Sequence, residues 1–200
     1  GEITKQMVIS SGNEYLEHEN LPLSLKWDAG LKYSKSFDPD AVIILGSDDF
    51  ISPETVRAMV AKISNGWLMT GLMDMHILDS KDGRLFHWNG YSVNTPNRMW
   101  ETIGLGRCLS RKLLEKVEFS LWDKEEIDSG LDGLMTRKLA SIGLIPVPHG
   151  QEVWISLEDG EFAFGHSGIY SSDCDGFVVD VKTSENITAI ERYSAKESGE

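Results

Sequence analysis

Cysteine is scarce in this chain: Cys108 and Cys174 are the only two in 200 residues. They are too few for a disulfide framework and are not spaced as zinc ligands, so a reducing, cytoplasmic setting is the expectation. Basic residues are also in short supply, 19 Lys and Arg against 32 Asp and Glu, for a net charge of −13. Binding to a phosphate backbone relies on clustered Lys and Arg, so no nucleic-acid partner is expected. The negative charge suits solubility, or a site that takes cations. No apolar run is long enough for a membrane span, and no segment has the layout of a signal peptide. Internal repeats and low-complexity segments are missing too. The chain opens on Gly-Glu-Ile rather than Met, as expected of a processed piece.

What is present is enough for one globular domain with a core: hydrophobic residues make up 40% of the chain. Its centre is the stretch Asp40 to Ser64. Ala41 to Leu45 is an unbroken apolar run, the signature of a parallel strand covered on both faces. Gly46-Ser47-Asp48-Asp49 follows at once, placing two carboxylates beyond the carboxyl end of that strand, where open α/β sheets bind ligands. A helix start comes next, with Ser52 as N-cap, Pro53 at the first helical position and Glu54 in the first turn. Val56, Met59, Val60 and Ile63 supply its buried face, and Asn65-Gly66 ends it.

Around this centre, Met7 to Ser10 reads as a short strand and Leu23 to Phe37 as a helix. Strand, helix, strand, helix predicts a parallel sheet with right-handed crossovers. Trp67 to Leu78 reads as one long strand or two short ones, and Asp79 to Gly83 as a turn from which Arg84 to Trp88 returns antiparallel. Asn89 to Trp100 reads as a long ordered loop, a type often functional. Gly104 to Leu109 is a glycine-flexed strand or turn, followed by a helix capped by Ser110. An amphipathic helix through Leu131, Leu134, Met135, Leu139 and Ile142 ends at Gly143. Leu144 to Pro148 and Phe177 to Val181 are strand candidates, and Ile187 to Tyr193 a weak helix.

Paired carboxylates after a buried strand suit a hard divalent cation, which in turn neutralises a diphosphate. Asp48 and Asp49 fit that role, and equally fit an Asx-type turn that stabilises the following helix dipole. Asp132 fits a general base or a first-turn acid favoured by the macrodipole. His149 and His166 lie in glycine-flanked segments and suit a metal or a phosphate. Trp88, Trp100, Trp122 and Trp154 suit stacking on a base or sugar as well as the core.

Taken together, PLSLKWDAGLKYSK, PDAVIILGSDDFISPE, GRCLSRKLLEKV, LWD and LDGLMTRKLASIGLIPV resemble the GT-A-fold glycosyltransferases, especially the inverting family 2. The resemblance covers Leu21 to Val147. It implies an α/β fold, a GT-A-like (Rossmann-related) three-layer domain with a mixed, mainly parallel central sheet over residues 1–170, and a C-terminal extension over 171–200. It further implies a nucleotide-sugar donor such as a UDP- or GDP-sugar, an acceptor hydroxyl, and a manganese or magnesium ion. On its terms Asp48 matches the second acid of the Asp-x-Asp motif with Asp49 beside it, and His166 joins them at the metal. Lys26, Asp28, Ser47 and Asp48 face the donor, and Asp132 is the catalytic base.

The family pattern is departed from at several points. Gly46 stands where the first acid belongs, Leu131 replaces the Glu before the catalytic Asp, and Gln-x-x-Arg-Trp is absent. The family's first strand and helix are expected to precede Met7, which implies a partner segment or subunit that completes the fold. A nucleotidyltransferase and a non-catalytic binding module of a larger assembly are the alternatives.

Overall fold

The computed structural model describes residues 1–91, 98–122, 126–145, 151, 154–156 and 162–183, with backbone alone for 154–156, 162–164 and 166. The chain is α/β. Among the described residues five α-helices, α1 (Glu2–Ser10), α2 (Leu23–Ser34), α3 (Pro53–Ser64), α4 (Arg111–Lys116) and α5 (Leu131–Ser141), surround two sheets. The strands are β1 (Ala41–Ile44), β2 (Asp49–Ile51), β3 (Trp67–Leu72), β4 (Met75–Asp79), β5 (Leu85–Trp88), β6 (Arg107–Ser110), β7 (Trp154–Ser156), β8 (Phe162–Ile169) and β9 (Val178–Lys182). The large sheet runs β1-β6-β3-β8-β7 and the small one β2-β9-β4-β5.

The expectation of a mainly parallel sheet is corrected here. Among the described residues only β3–β8 and β4–β9 pair in parallel, while β1–β6, β3–β6, β7–β8, β2–β9 and β4–β5 are antiparallel. The reason is partly long-range and partly local: β1 pairs with the distant β6 rather than with the next strand in sequence, and a short turn folds β5 back on β4. Met7–Ser10 is likewise not a strand but the end of α1, a helix with no buried residue whose Ile3, Met7 and Ile9 are exposed. β-branched residues there mimic a strand, whereas Gln6 bonds Glu2 one helical turn back. β1 lies at the edge of its sheet and is only half-buried over Ala41–Ile43, against the expectation of a strand covered all round.

Other expectations hold. Ser52 accepts a hydrogen bond from the Thr55 amide and Pro53 opens α3; Ser110 does the same for Leu113 at the start of α4. Trp67 to Leu78 is two strands, and β5 returns antiparallel to β4. Val178–Lys182 of the expected C-terminal extension is β9, central in the small sheet between β2 and β4. The readings at 146–148 and 187–193 lie outside the described residues.

The core has two parts. Leu31 of α2, Leu113 and Leu114 of α4 and Leu134, Met135 and Leu139 of α5 pack with Ile44, Met69 and Leu109. Met59 of α3 packs with Leu72, Cys108, Ile169 and the small-sheet residues Met75, Ile77, Phe86 and Val178. Alternation along β1 joins them, since Val42 and Ile44 face the first cluster while Ala41 and Ile43 face the second.

One buried carboxylate fixes how α2 meets this core. Asp28 is 2% exposed and accepts from the amides of Leu121 (2.8 Å) and Trp122 (3.0 Å), from Ser120 Oγ and from Lys32 Nζ (2.6 Å). Burial raises its pKa, but Lys32 and the amide donors outweigh that and hold the carboxyl below its ordinary value. Its role is therefore to bind the chain before α5 to α2, and both oxygens are occupied, so the expected contact with a donor is not where the structure puts it. Asp28→Ala leaves three buried donors unpaired and is expected to cost about 3 kcal/mol in urea unfolding. A loss within experimental error of zero would remove Asp28 from this role.

Candidate functional site

A cleft of about 290 Å³ opens between the two sheets and α5. Its acidic end is formed by Asp48 and Asp49 at the start of β2 and by Asp180 and Lys182 of β9; its far end is formed by Tyr91, Gly104 and Asp132. Trp27, Trp88, Trp122 and Met135 supply apolar wall.

The acidic end is built by strand pairing. β2 runs antiparallel to β9 with Asp49 opposite Asp180, which sets two carboxylates side by side. Asp49 Oδ2 accepts from the Gly46 amide at 2.5 Å, closing the turn after β1. Burial, only partly offset by that amide, together with Asp180 and Asp48 pushes the Asp49 carboxyl up to about 7. Asp180 is also raised, again by burial first; Lys182 opposes this and Asp48 adds to it. Lys182 Nζ lies 2.6 Å from Asp180 Oδ2, both residues are 7% exposed, and Asp180 Oδ1 is buried without a hydrogen-bond partner among the described residues. Among the described residues Lys182 is the one basic side chain on the cleft wall. No group of three or more His, Cys, Asp or Glu among the described residues is arranged to hold a metal ion.

The far end is built around Asp132, in the first turn of α5 after Gly130, whose φ is +77°. Tyr91 donates to Asp132 Oδ2 at 3.2 Å, and an Arg98 amino nitrogen stands 3.7 Å from the same oxygen. Arg98 lies over the Tyr91 ring, 3.8 Å from its centroid, and its Nε donates to Glu101 at 2.6 Å. Burial and the neighbouring Asp132 raise the Tyr91 pKa, so the phenol remains a donor. Arg107, 1% exposed, donates to the carbonyls of Ile103 and Thr102 and reaches the Asp132 carbonyl at 3.5 Å. Gly104 leaves the room that the Asp132 carboxylate occupies, because a Cβ there would overlap Asp132 Oδ1 and the side chain would have to turn away.

Of the residues singled out in the sequence, Asp48, Asp49 and Asp132 thus line one cleft. Lys26 and Ser47 do not; they line an adjoining groove of about 970 Å³ that runs into the cleft and shares with it Trp27, Ile44, Gly46, Asp48, Trp122 and Lys182, among others. Lys26 is exposed and donates to Asn20. His166 pairs in β8 opposite Met69, and its side chain lies outside the described residues, as does His149. Trp88 and Trp122 reach the cleft, with Trp122 Nε1 donating to the Leu131 carbonyl. Sequence reading singled out none of Tyr91, Arg98, Glu101, Arg107, Asp180 and Lys182, which tertiary packing assembles, although Tyr91 and Arg98 fall in the 89–100 stretch read as a functional type of loop and Arg107 follows the Gly104-Leu105-Gly106 spacing. No helix of the described residues is long and apolar enough to cross a membrane. Comparison with protein-family models, curated proteins and solved structures finds no match.

Two predictions come from this geometry. Gly104→Ala is expected to turn the Asp132 carboxylate away and to cost about 1–3 kcal/mol by overpacking; a crystal structure of the variant with Asp132 unmoved would contradict it. For Asp49 the folded-state pKa of about 7 lies above that of an unfolded aspartate. Below about pH 4 both states are protonated, and between about pH 4 and about pH 7 only the unfolded chain sheds the proton, so stability falls as pH rises. Asp49→Asn is expected to gain on the order of 2 kcal/mol over the parent across that window, after allowance for solvent screening. Urea unfolding at both ends of the window measures it, and a pH-independent difference would refute the assignment.

Proposed function

We propose that this chain is a GT-A-like glycosyltransferase domain that moves a sugar from a nucleotide-sugar donor to an acceptor hydroxyl with inversion, aided by a divalent metal. The observation that carries the reading is that Asp48 and Asp49, from one strand end, and Asp132, from a distant helix start, line the same cleft.

The donor set fits magnesium or manganese. Such ions take one or two carboxylates and complete their shell with phosphate oxygens and water, so Asp48 and Asp49 suffice without a third protein ligand. The raised pKa of Asp49 among like charges is the condition a bound cation relieves. When bound, the metal supplies charge stabilisation to the departing diphosphate. Lys182, beside Asp48 on the cleft wall, adds a second positive charge there.

At the far end Tyr91 holds Asp132 Oδ2, which orients the carboxylate and leaves Oδ1 to take a proton. The acceptor oxygen attacks the anomeric carbon as its proton passes to Asp132, the bond from that carbon to the diphosphate oxygen breaks, and the nucleoside diphosphate leaves. Arg107 and Gly104 act on this step through Asp132: the first holds its carbonyl, the second makes room for its side chain.

Calorimetry with UDP or GDP plus manganese, and nucleoside diphosphate release from the matching sugar donors, test the reading. Binding and release are expected in the parent chain. Asp48→Ala should abolish metal-dependent release, while Asp132→Asn should lower kcat by about 10²–10⁴ with nucleotide affinity kept. Release of pyrophosphate would make the chain a nucleotidyltransferase instead, and no nucleotide binding at all would sink the enzyme reading.

A further inference from the structure

The small sheet brings two histidines together on the face turned away from the cleft. β4 and β5 pair with Met75 opposite Trp88 and His76 opposite His87. Met75 and Trp88 line the cleft. By the alternation of a strand, His76 and His87 therefore stand on the other face, side by side across the ladder. Asp74, just before β4, reaches the same pair: its Oδ2 is 2.9 Å from His87 Nε2.

Hydrogen bonding decides which ring nitrogens are left over. Asp74, 5% exposed, accepts from the Ser171 amide at Oδ1 (2.7 Å) and from the Ser171 hydroxyl at Oδ2 (2.6 Å). It is held as an acceptor, so His87 Nε2 donates to it and the lone pair of that ring falls to Nδ1. His76 Nδ1 is buried with no hydrogen-bond partner among the described residues. A nitrogen in that position costs stability that a ligand would restore. The two ring centres lie 5.0 Å apart with their planes at 46°. Two imidazoles bound through one nitrogen each to a tetrahedral ion, at roughly 2.0–2.1 Å, hold their ring centres about 5 Å apart.

From this we infer that His76 and His87 chelate a divalent transition-metal ion of the zinc class. Imidazole suits zinc, copper and nickel, whereas magnesium and manganese take oxygen, so this site and the carboxylates of the cleft select different ions. Asp74 is the carboxylate to which a metal-bound histidine donates its other N–H; it fixes the His87 tautomer and makes the free nitrogen more basic. The protein supplies two ligands, fewer than the groups of three sought without success among the described residues, and solvent completes the shell beside the exposed His87. Bound there, the ion ties β5, the edge strand of the small sheet, to β4. The inference stands apart from the proposed transfer reaction, because Asp74, His76 and His87 are not among the residues that line the cleft.

Calorimetric titration of zinc into the intact chain tests it, with excess magnesium present to compete for oxygen-lined sites. The parent chain is expected to bind zinc, and His76→Asn and His87→Asn each to weaken it by at least about tenfold, since one tethered ligand alone loses the chelate. Zinc should raise the urea midpoint of the parent and leave that of both variants unchanged. Ring signals in the NMR spectrum of the parent give a readout that needs no variant: zinc should shift those of His76 and His87, and not those of His18, His149 or His166. Asp74→Asn should weaken zinc about 10- to 100-fold. In zinc-free, mildly alkaline buffer it should also move His87 away from the Nε2–H tautomer, a change that a merely structural role for Asp74 would not produce. Absence of zinc binding in the parent, a smaller loss in either histidine variant, or zinc shifts on the other histidines instead would overturn the inference. Unchanged affinity or an unchanged His87 tautomer in Asp74→Asn would remove Asp74 from it.

Discussion

The guanidinium of Arg107 is the interaction on which the cleft depends. It sits in β6, between β1 and β3, at 1% exposure, with carbonyls of Ile103 and Thr102, the Glu101 carboxylate and the Asp132 carbonyl around it. A buried cation is tolerated only when its hydrogens are met in a fixed geometry, and the planar fork of arginine meets several acceptors where lysine would meet them as a point charge. Burial raises the Glu101 pKa, but Arg98 and Thr136 overcome it and keep the carboxyl below its ordinary value. The charges at this end are therefore balanced, and the strand, the 101–103 segment and the start of α5 become one rigid corner. Asp132 is placed by that corner rather than by its own helix.

The acidic end is the opposite case. Its strand pairing puts Asp49 against Asp180 with Asp48 close by, and only Lys182 offsets them on the cleft wall. The result is a carboxyl held up near 7 by burial and its neighbours, and a buried Asp180 oxygen without a partner among the described residues. One cleft thus joins a satisfied end that fixes geometry to an unsatisfied end that favours positive charge. Perturbed groups of this kind concentrate at functional sites because stability alone gives no reason to keep them.

Local chemistry was legible in the sequence, and partnership between distant strands was not. α3 could be read from Ser52, Pro53 and Asn65 because caps and turns are decided within a few residues. The β4–β5 hairpin announced itself through Asp79 to Gly83 for the same reason. The order β1-β6-β3-β8 could not be read, since an apolar run such as Leu68 to Leu72 does not say which strand lies beside it or in which direction. The site divides along the same line. Asp48, Asp49 and Asp132 were visible from their positions at element ends, whereas Asp180 alternates along an ordinary-looking strand and acquires meaning only because β2 pairs with β9. Asp28 shows the converse: an acid on a helix looks available until the Leu121 and Trp122 amides are found upon it.

β1 joins these two lessons. Its composition is that of an interior strand, because Ala41 to Leu45 offers no polar residue to either face or to the edge. The helices agree with that composition, with α2 over one face and α3 beneath the other, and Val42 and Ala41 pointing into separate clusters. Only the edge disagrees, since among the described residues β6 is the one strand beside β1. The parallel, fully covered environment expected from the sequence and the one in the structure thus differ twice: β1 runs antiparallel to β6, and among the described residues it has no second neighbour.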